Sequence, residues 1–124
     1  MSDPKLVLEI LAQIEGAALR VERRFSKVDS ADVFLDSEEG LERLDAICMQ
    51  LIAIGESLKN LDKVTGRELL PMYPEVEWKG AMGIRDIITH HYFDLDAEAV
   101  FDACESDIPV LVKTIQRMRK DLEE

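Results

Sequence analysis

The sequence predicts an all-α fold, an antiparallel four-helix bundle with a short irregular segment between helices two and three. Three observations carry this. Apolar residues recur at spacings of three and four along most of the chain. No β-alternation, Asn-Gly hairpin signal or internal repeat interrupts them. Capping and breaking residues fall where one helical stripe ends and the next begins.

The first stripe follows Pro4, which suits a first helical turn, with Ser2 or Asp3 before it as a cap. Leu6, Ile10, Ala17 and Val21 interleave there with Leu11, Ile14, Ala18 and Phe25, giving a helix to about residue 27. Arg20, Arg23, Arg24 and Lys27 favour the negative end of its dipole. Residues 28–35 read as a connection with room for one short helical turn. Asp36 to Glu39 then supply a cap and acidic residues for a second helix over 37–62, marked by Leu41, Leu44, Ile47, Cys48, Leu51, Ile54, Leu58 and Leu61.

Pro71 and Pro74 preclude one continuous helix through residues 63–77. A third helix is predicted from the Glu75 to Trp78 region to about His91. Asp94 or Asp96 caps a fourth, whose stripe runs through Val100, Phe101, Cys104, Ile108, Leu111, Val112, Ile115, Met118 and Leu122. Pro109 is expected to bend it.

A chain of 124 residues, 47% hydrophobic and 33% charged, matches one globular domain over 1–124. No apolar run spans a bilayer and no signal peptide opens the sequence, so a cytoplasmic protein without membrane contact is expected. Cys48 and Cys104 lie inside apolar stripes and read as buried thiols; no zinc pattern, metal site or Glu-x-x-His pair occurs. The net charge of −11, from 26 acidic and 15 basic residues, opposes unspecific binding to nucleic acid. RNA chemistry would need a local basic cleft, and an acidic exterior suits a basic protein partner equally.

The only histidines are adjacent, in Gly83-Ile84-Arg85-Asp86-Ile87-Ile88-Thr89-His90-His91-Tyr92. Ile84, Ile88 and His91 share one helical stripe, which makes His91 a core residue, while His90 lies off it with Asp86 one turn before. A helix-end histidine paired with Asp86 is one reading of His90; a general base or acid is the other. Arg85 lies about 140° around the helix from His90 and flanks the same groove, and Tyr92, seven residues after Arg85, returns to nearly its side. Guanidinium, imidazole and phenol then surround one patch.

Arg85, four intervening residues, His90, one residue and Tyr92 form R-x(4)-H-x-Y, a pattern that resembles the signature of the HepT-like toxins, a branch of the HEPN ribonucleases. Trp78 and Met82 upstream, Ile54-Gly55-Glu56 followed by Leu58, Asn60 and Leu61, the length, and the order of four helices extend the resemblance over nearly the whole chain. It implies a homodimer whose paired motifs cut RNA without metal or cofactor, with His90 activating the ribose 2′-hydroxyl and Arg85 steadying charge on the phosphate. It also implies a partner, an MntA-type nucleotidyltransferase antitoxin that attaches AMP to the motif tyrosine, here Tyr92. Glu56 would line the cleft. Asp86 departs from the family, where a polar residue, often asparagine, follows the arginine; its carboxylate would orient His90 or repel a phosphate. The alternative is a noncatalytic bundle that binds a nucleotide or a protein partner.

Overall fold

Helix α1, Pro4–Phe25, begins where Asp3 accepts a hydrogen bond from the Lys5 backbone N–H at 3.0 Å, with Pro4 in the first turn. The computed structural model describes residues 3–90 and 96–123. Ser37 caps α2, Glu38–Val64, by accepting from the Gly40 N–H at 3.0 Å. Between them the expected short turn is a 3-10 helix, Ala31–Phe34, which sinks Phe34 fully into the core.

The close of α2 is a tight left-handed turn. Gly66 and Arg67 have φ of 63° and 62°, a region that a residue with a Cβ seldom adopts. Hydrogen bonds hold it: the Arg67 N–H donates to the Asp62 carbonyl at 2.8 Å, and the Thr65 hydroxyl to that of Leu61 at 2.7 Å.

Residues between α2 and α3 form the expected irregular segment, with one 3-10 turn at Leu70–Met72. It is well anchored. Leu69, Leu70 and Tyr73 are buried, the Tyr73 hydroxyl bonds to Asp121 at 2.7 Å, and the Trp78 indole N–H donates to the Tyr73 carbonyl at 2.8 Å. Helix α3, Trp78–His90, starts there, its first turn capped by the Glu77 carboxylate accepting from the Gly80 N–H at 2.8 Å.

The predicted fourth helix is present but divided. Asp96 caps α4, Ala97–Asp102; a π-helical turn, Ala103–Asp107, follows; then α5, Ile108–Glu123. Pro109 has no N–H to give, and its ring crowds the carbonyl four residues back. The chain relieves this in the preceding turn, where the Ile108 N–H reaches back five residues to the Ala103 carbonyl. Asp94, the other cap considered, lies outside the described residues.

No strand occurs among the described residues, and the fold is an all-α helical bundle. One core runs through it: α1 packs on both α2 and α5, and α3 on α2. Leu11, Ile14, Val21, Ile47, Leu58, Leu61, Ile115 and Met118 are almost wholly shielded from water. Burying each such side chain contributes roughly 1.5–3 kcal/mol, so the interior dominates stability. Cys48 and Cys104 are free and buried; burial pushes their thiols up to about 11 and about 12.

Candidate functional site

The site forms where α3 crosses α2, and a glycine makes the crossing close. A Cβ on Gly55 would stand 3.3 Å from the Met82 carbonyl oxygen and 3.4 Å from the Arg85 Cβ. Because the helices approach this nearly, the next residue of α2, Glu56, meets Arg85. Its Oε1 lies 2.6 Å from the Arg85 Nε.

Two further charges complete the group. Arg85 also reaches Asp86, Nη1 to Oδ1 at 3.2 Å, while the other Asp86 oxygen faces the Lys59 Nζ at 3.7 Å. One carboxylate thus bridges two cations. All four side chains are between 41% and 52% exposed, and ion pairs so open to water stabilise a fold by only about 0–1 kcal/mol. Their value lies elsewhere, in presenting oriented charge on two rigid helices. The Thr89 hydroxyl, donating to the Arg85 carbonyl at 2.9 Å, ties down the same turn of α3.

His90 is the last described residue of α3 and is exposed there. Five residues separate it from Arg85, about 7.5 Å along the axis and 140° around it. Among the described residues no hydrogen bond or ion pair joins His90 to Arg85, Asp86 or Glu56. The pairing of His90 with Asp86 considered from the sequence is therefore not what the structure contains: Asp86 turns to Arg85 at 3.2 Å and Lys59 at 3.7 Å. His91 and Tyr92, and with them the core role and the modification site read from the motif, fall outside the described residues.

The structure thus assembles Arg85, Asp86 and Glu56, leaves His90 at the end of the same helix, and adds Lys59, which the sequence reading missed. A signal for Lys59 existed, since it lies one turn after Glu56 and shares its helix face. An open hollow of about 440 Å³ adjoins the group, lined by Lys59, Asp62, Lys63, Gly66, Arg67 and Met82. A second groove, of about 310 Å³, is more apolar and runs past Leu51, Ile84 and Leu111; none of the Arg85 group lines it. Among the described residues no cluster of His, Cys, Asp and Glu is arranged to hold a metal ion, and no helix is long and apolar enough to cross a membrane.

Comparison with known proteins gives these features a context. Residues 8–118 match the family model described as Ribonuclease HepT-like. The chain is 36% identical over 78 residues to a Methanocaldococcus jannaschii protein named "Putative RNase MJ0127", covering 63% of this chain and 61% of that one. It is 31% identical over 75 residues to "Probable ribonuclease HepT" of Thermococcus cleftensis, covering 60% and 64% respectively. The chain therefore spans somewhat under two thirds of the length of these relatives. No solved structure matches it. The family match takes in α2, α3 and both charged partners of Arg85, and the chain belongs to the Ribonuclease HepT-like family.

Proposed function

We propose that this protein is the ribonuclease toxin of a toxin–antitoxin pair, cutting RNA by metal-independent transesterification with Arg85 and His90 as its catalytic residues. The observation that carries the reading is an arginine held in place by Glu56 on the same exposed helix as a solvent-accessible histidine, within the stretch matched by the family. In the proposed step the His90 imidazole takes the proton of a ribose 2′-hydroxyl. The oxygen attacks the adjacent phosphorus, the bond to the 5′-oxygen breaks and that oxygen takes a proton from water, and a 2′,3′-cyclic phosphate results. Arg85 offsets the charge that builds on the phosphate oxygens, a role suited to a preorganised cation.

Within one chain Arg85 and His90 diverge around the helix. A homodimer fits this geometry, because a second copy would bring its own α3 to the same phosphate. Control of the activity is assigned to an MntA-type nucleotidyltransferase antitoxin that transfers AMP to Tyr92; a nucleotide beside Arg85 would block the cleft by charge and bulk. A cytoplasmic location agrees with an RNA substrate.

One observation favours the rival reading of a noncatalytic partner-binding bundle: both carboxylates near Arg85 compete with a phosphate for it. The readings part at a single substitution. His90→Ala should lower RNA cleavage by roughly 10²–10⁴-fold, the contribution typical of general acid–base catalysis, and relieve the growth arrest caused by the wild type. Equal harmlessness of the two proteins, with no cleavage by either, would sink the ribonuclease reading.

A further inference from the structure

Three cations, Lys59, Lys63 and Arg67, line one hollow at the end of α2, with Asp62 as the acidic residue in its lining. In a chain carrying 26 acidic and 15 basic residues this is a local reversal of sign. Lys63 and Arg67 are exposed, and neither is in an ion pair with any described residue. Some other arginines are paired within the fold, Arg117 with Glu75 and the Tyr73 ring and Arg119 with Glu15, while Arg20 and Arg23 are exposed on α1.

The backbone fixes this presentation. Arg67 sits in the left-handed conformation normally left to glycine, which its own N–H bond to Asp62 and the preceding Gly66 help to hold. An uncommon conformation maintained by surrounding bonds, at a position whose side chain borders a hollow, is the kind of local cost found at binding sites. Lys59 belongs both to this hollow and, through Asp86, to the Arg85 group. Lys59 therefore links the hollow to the proposed reaction centre.

We infer that the hollow formed by Lys59, Lys63 and Arg67 binds the sugar–phosphate backbone of single-stranded RNA flanking the phosphate at Arg85. The inference rests on the ribonuclease reading for the identity of the strand. Exposed cations spaced along a groove suit a backbone carrying one negative charge per nucleotide, and contact with phosphate oxygens holds a strand in register without reading its bases. The hollow also eases the conflict between an acidic protein and a polyanionic substrate, since it gathers three cations beside the Arg85 group.

The test uses a fluorescent 2′-O-methyl oligouridylate, which lacks the attacking hydroxyl, and follows its anisotropy with the full chain over a range of salt. The variants are Lys63→Gln with Arg67→Gln and, as a charge-matched control, Lys113→Gln with Lys120→Gln on α5, where both lysines are exposed. Losing two phosphate contacts should weaken binding roughly tenfold and reduce the slope of log K against log salt by about 1.4, at about 0.7 per contact on single strands. The control pair should change neither. Unaltered binding in the hollow variant, an equal loss in the control, or no binding by the wild type at low salt overturns the inference.

Cleavage of unmodified RNA, assayed alongside, separates the two claims. Wild-type cleavage with an affinity indifferent to Lys63 and Arg67 removes the hollow and keeps the nuclease. Hollow-dependent binding without cleavage by wild type does the reverse.

Discussion

The two ends of α3 are built in opposite ways. At its start, Trp78 is buried and bonded to the Tyr73 carbonyl, Tyr73 is bonded to Asp121, and Arg117 lies over the Tyr73 ring at 4.9 Å while pairing with Glu75 at 2.5 Å. Further along, Arg85 and its partners are half open to water and His90 is exposed. The irregular segment is thus the clamp, and the regular helix carries the exposed chemistry. Secondary structure and rigidity are separate properties here, and stability and activity should respond to different substitutions.

The sharpest test of that division is Trp78→Ala. It removes a large buried side chain and leaves the Tyr73 carbonyl without its donor, at a cost of about 3–5 kcal/mol in denaturant unfolding. A loss below about 1 kcal/mol would mean the clamp does not hold α3. Gly40→Ala comes next. Its new Cβ would fall 2.1 Å from the Val33 carbonyl oxygen, so backbone must shift, and about 1–3 kcal/mol should be lost although alanine is the better helix former.

Alkaline pH probes the interior more gently. Both thiols titrate higher in the folded chain than their ordinary 9.0, and Tyr73, buried and bonded to Asp121, rises from 10.0 to about 12. For groups raised on folding, the stability is fully present below the unfolded pKa and lost as pH climbs through the folded one. Melting temperature should therefore hold steady up to pH 9 and fall progressively between pH 9 and 12, a trend that scanning calorimetry would follow. Replacing Cys48 and Cys104 with alanine should flatten the first part of that fall.

The smallest effect on folding is expected at the exposed end. Glu56→Gln should shift stability by less than about 1 kcal/mol, because water already screens the pair. Its signature belongs in catalysis: with Arg85 less firmly oriented, kcat for RNA cleavage should drop severalfold while the melting curve barely moves. A large melting shift with unchanged kcat would erase the contrast between the two ends.

Much of this was legible from residue order. The helices follow from apolar period, and Asp3, Ser37 and Asp96 cap as their types suggest. Helix α1 stops at Phe25, a turn's fraction before the expected end, and α2 runs on to Val64, the usual latitude at frayed termini. Gly55 belonged to the resemblance, and the structure shows its physical use, the close approach of α3. The clamp was not legible, because Tyr73 and Asp121 are 48 residues apart and nothing local relates them. Lys59 escaped for a similar reason: its partner is chosen by the angle at which two helices cross. The grouping of His90 with Asp86 failed because spacing along one helix ignores cations supplied by another.

The π-helical turn has a consequence for phase. Val100, Cys104 and Ile108 are all buried, and two successive steps of four residues outrun a helix of 3.6 residues per turn by about 80°. In an unbroken α-helix that lag would swing Ile108 off the axis of contact; one wider turn absorbs it, so α4 and α5 present their apolar edges to the same interior. Shortening this turn by one residue would rotate everything downstream by about 100°, carrying Met118 toward solvent and Asp121 away from Tyr73. The turn works as a gear between two helices, and the placing of Asp121 against Tyr73 is set more than a dozen residues earlier in the chain.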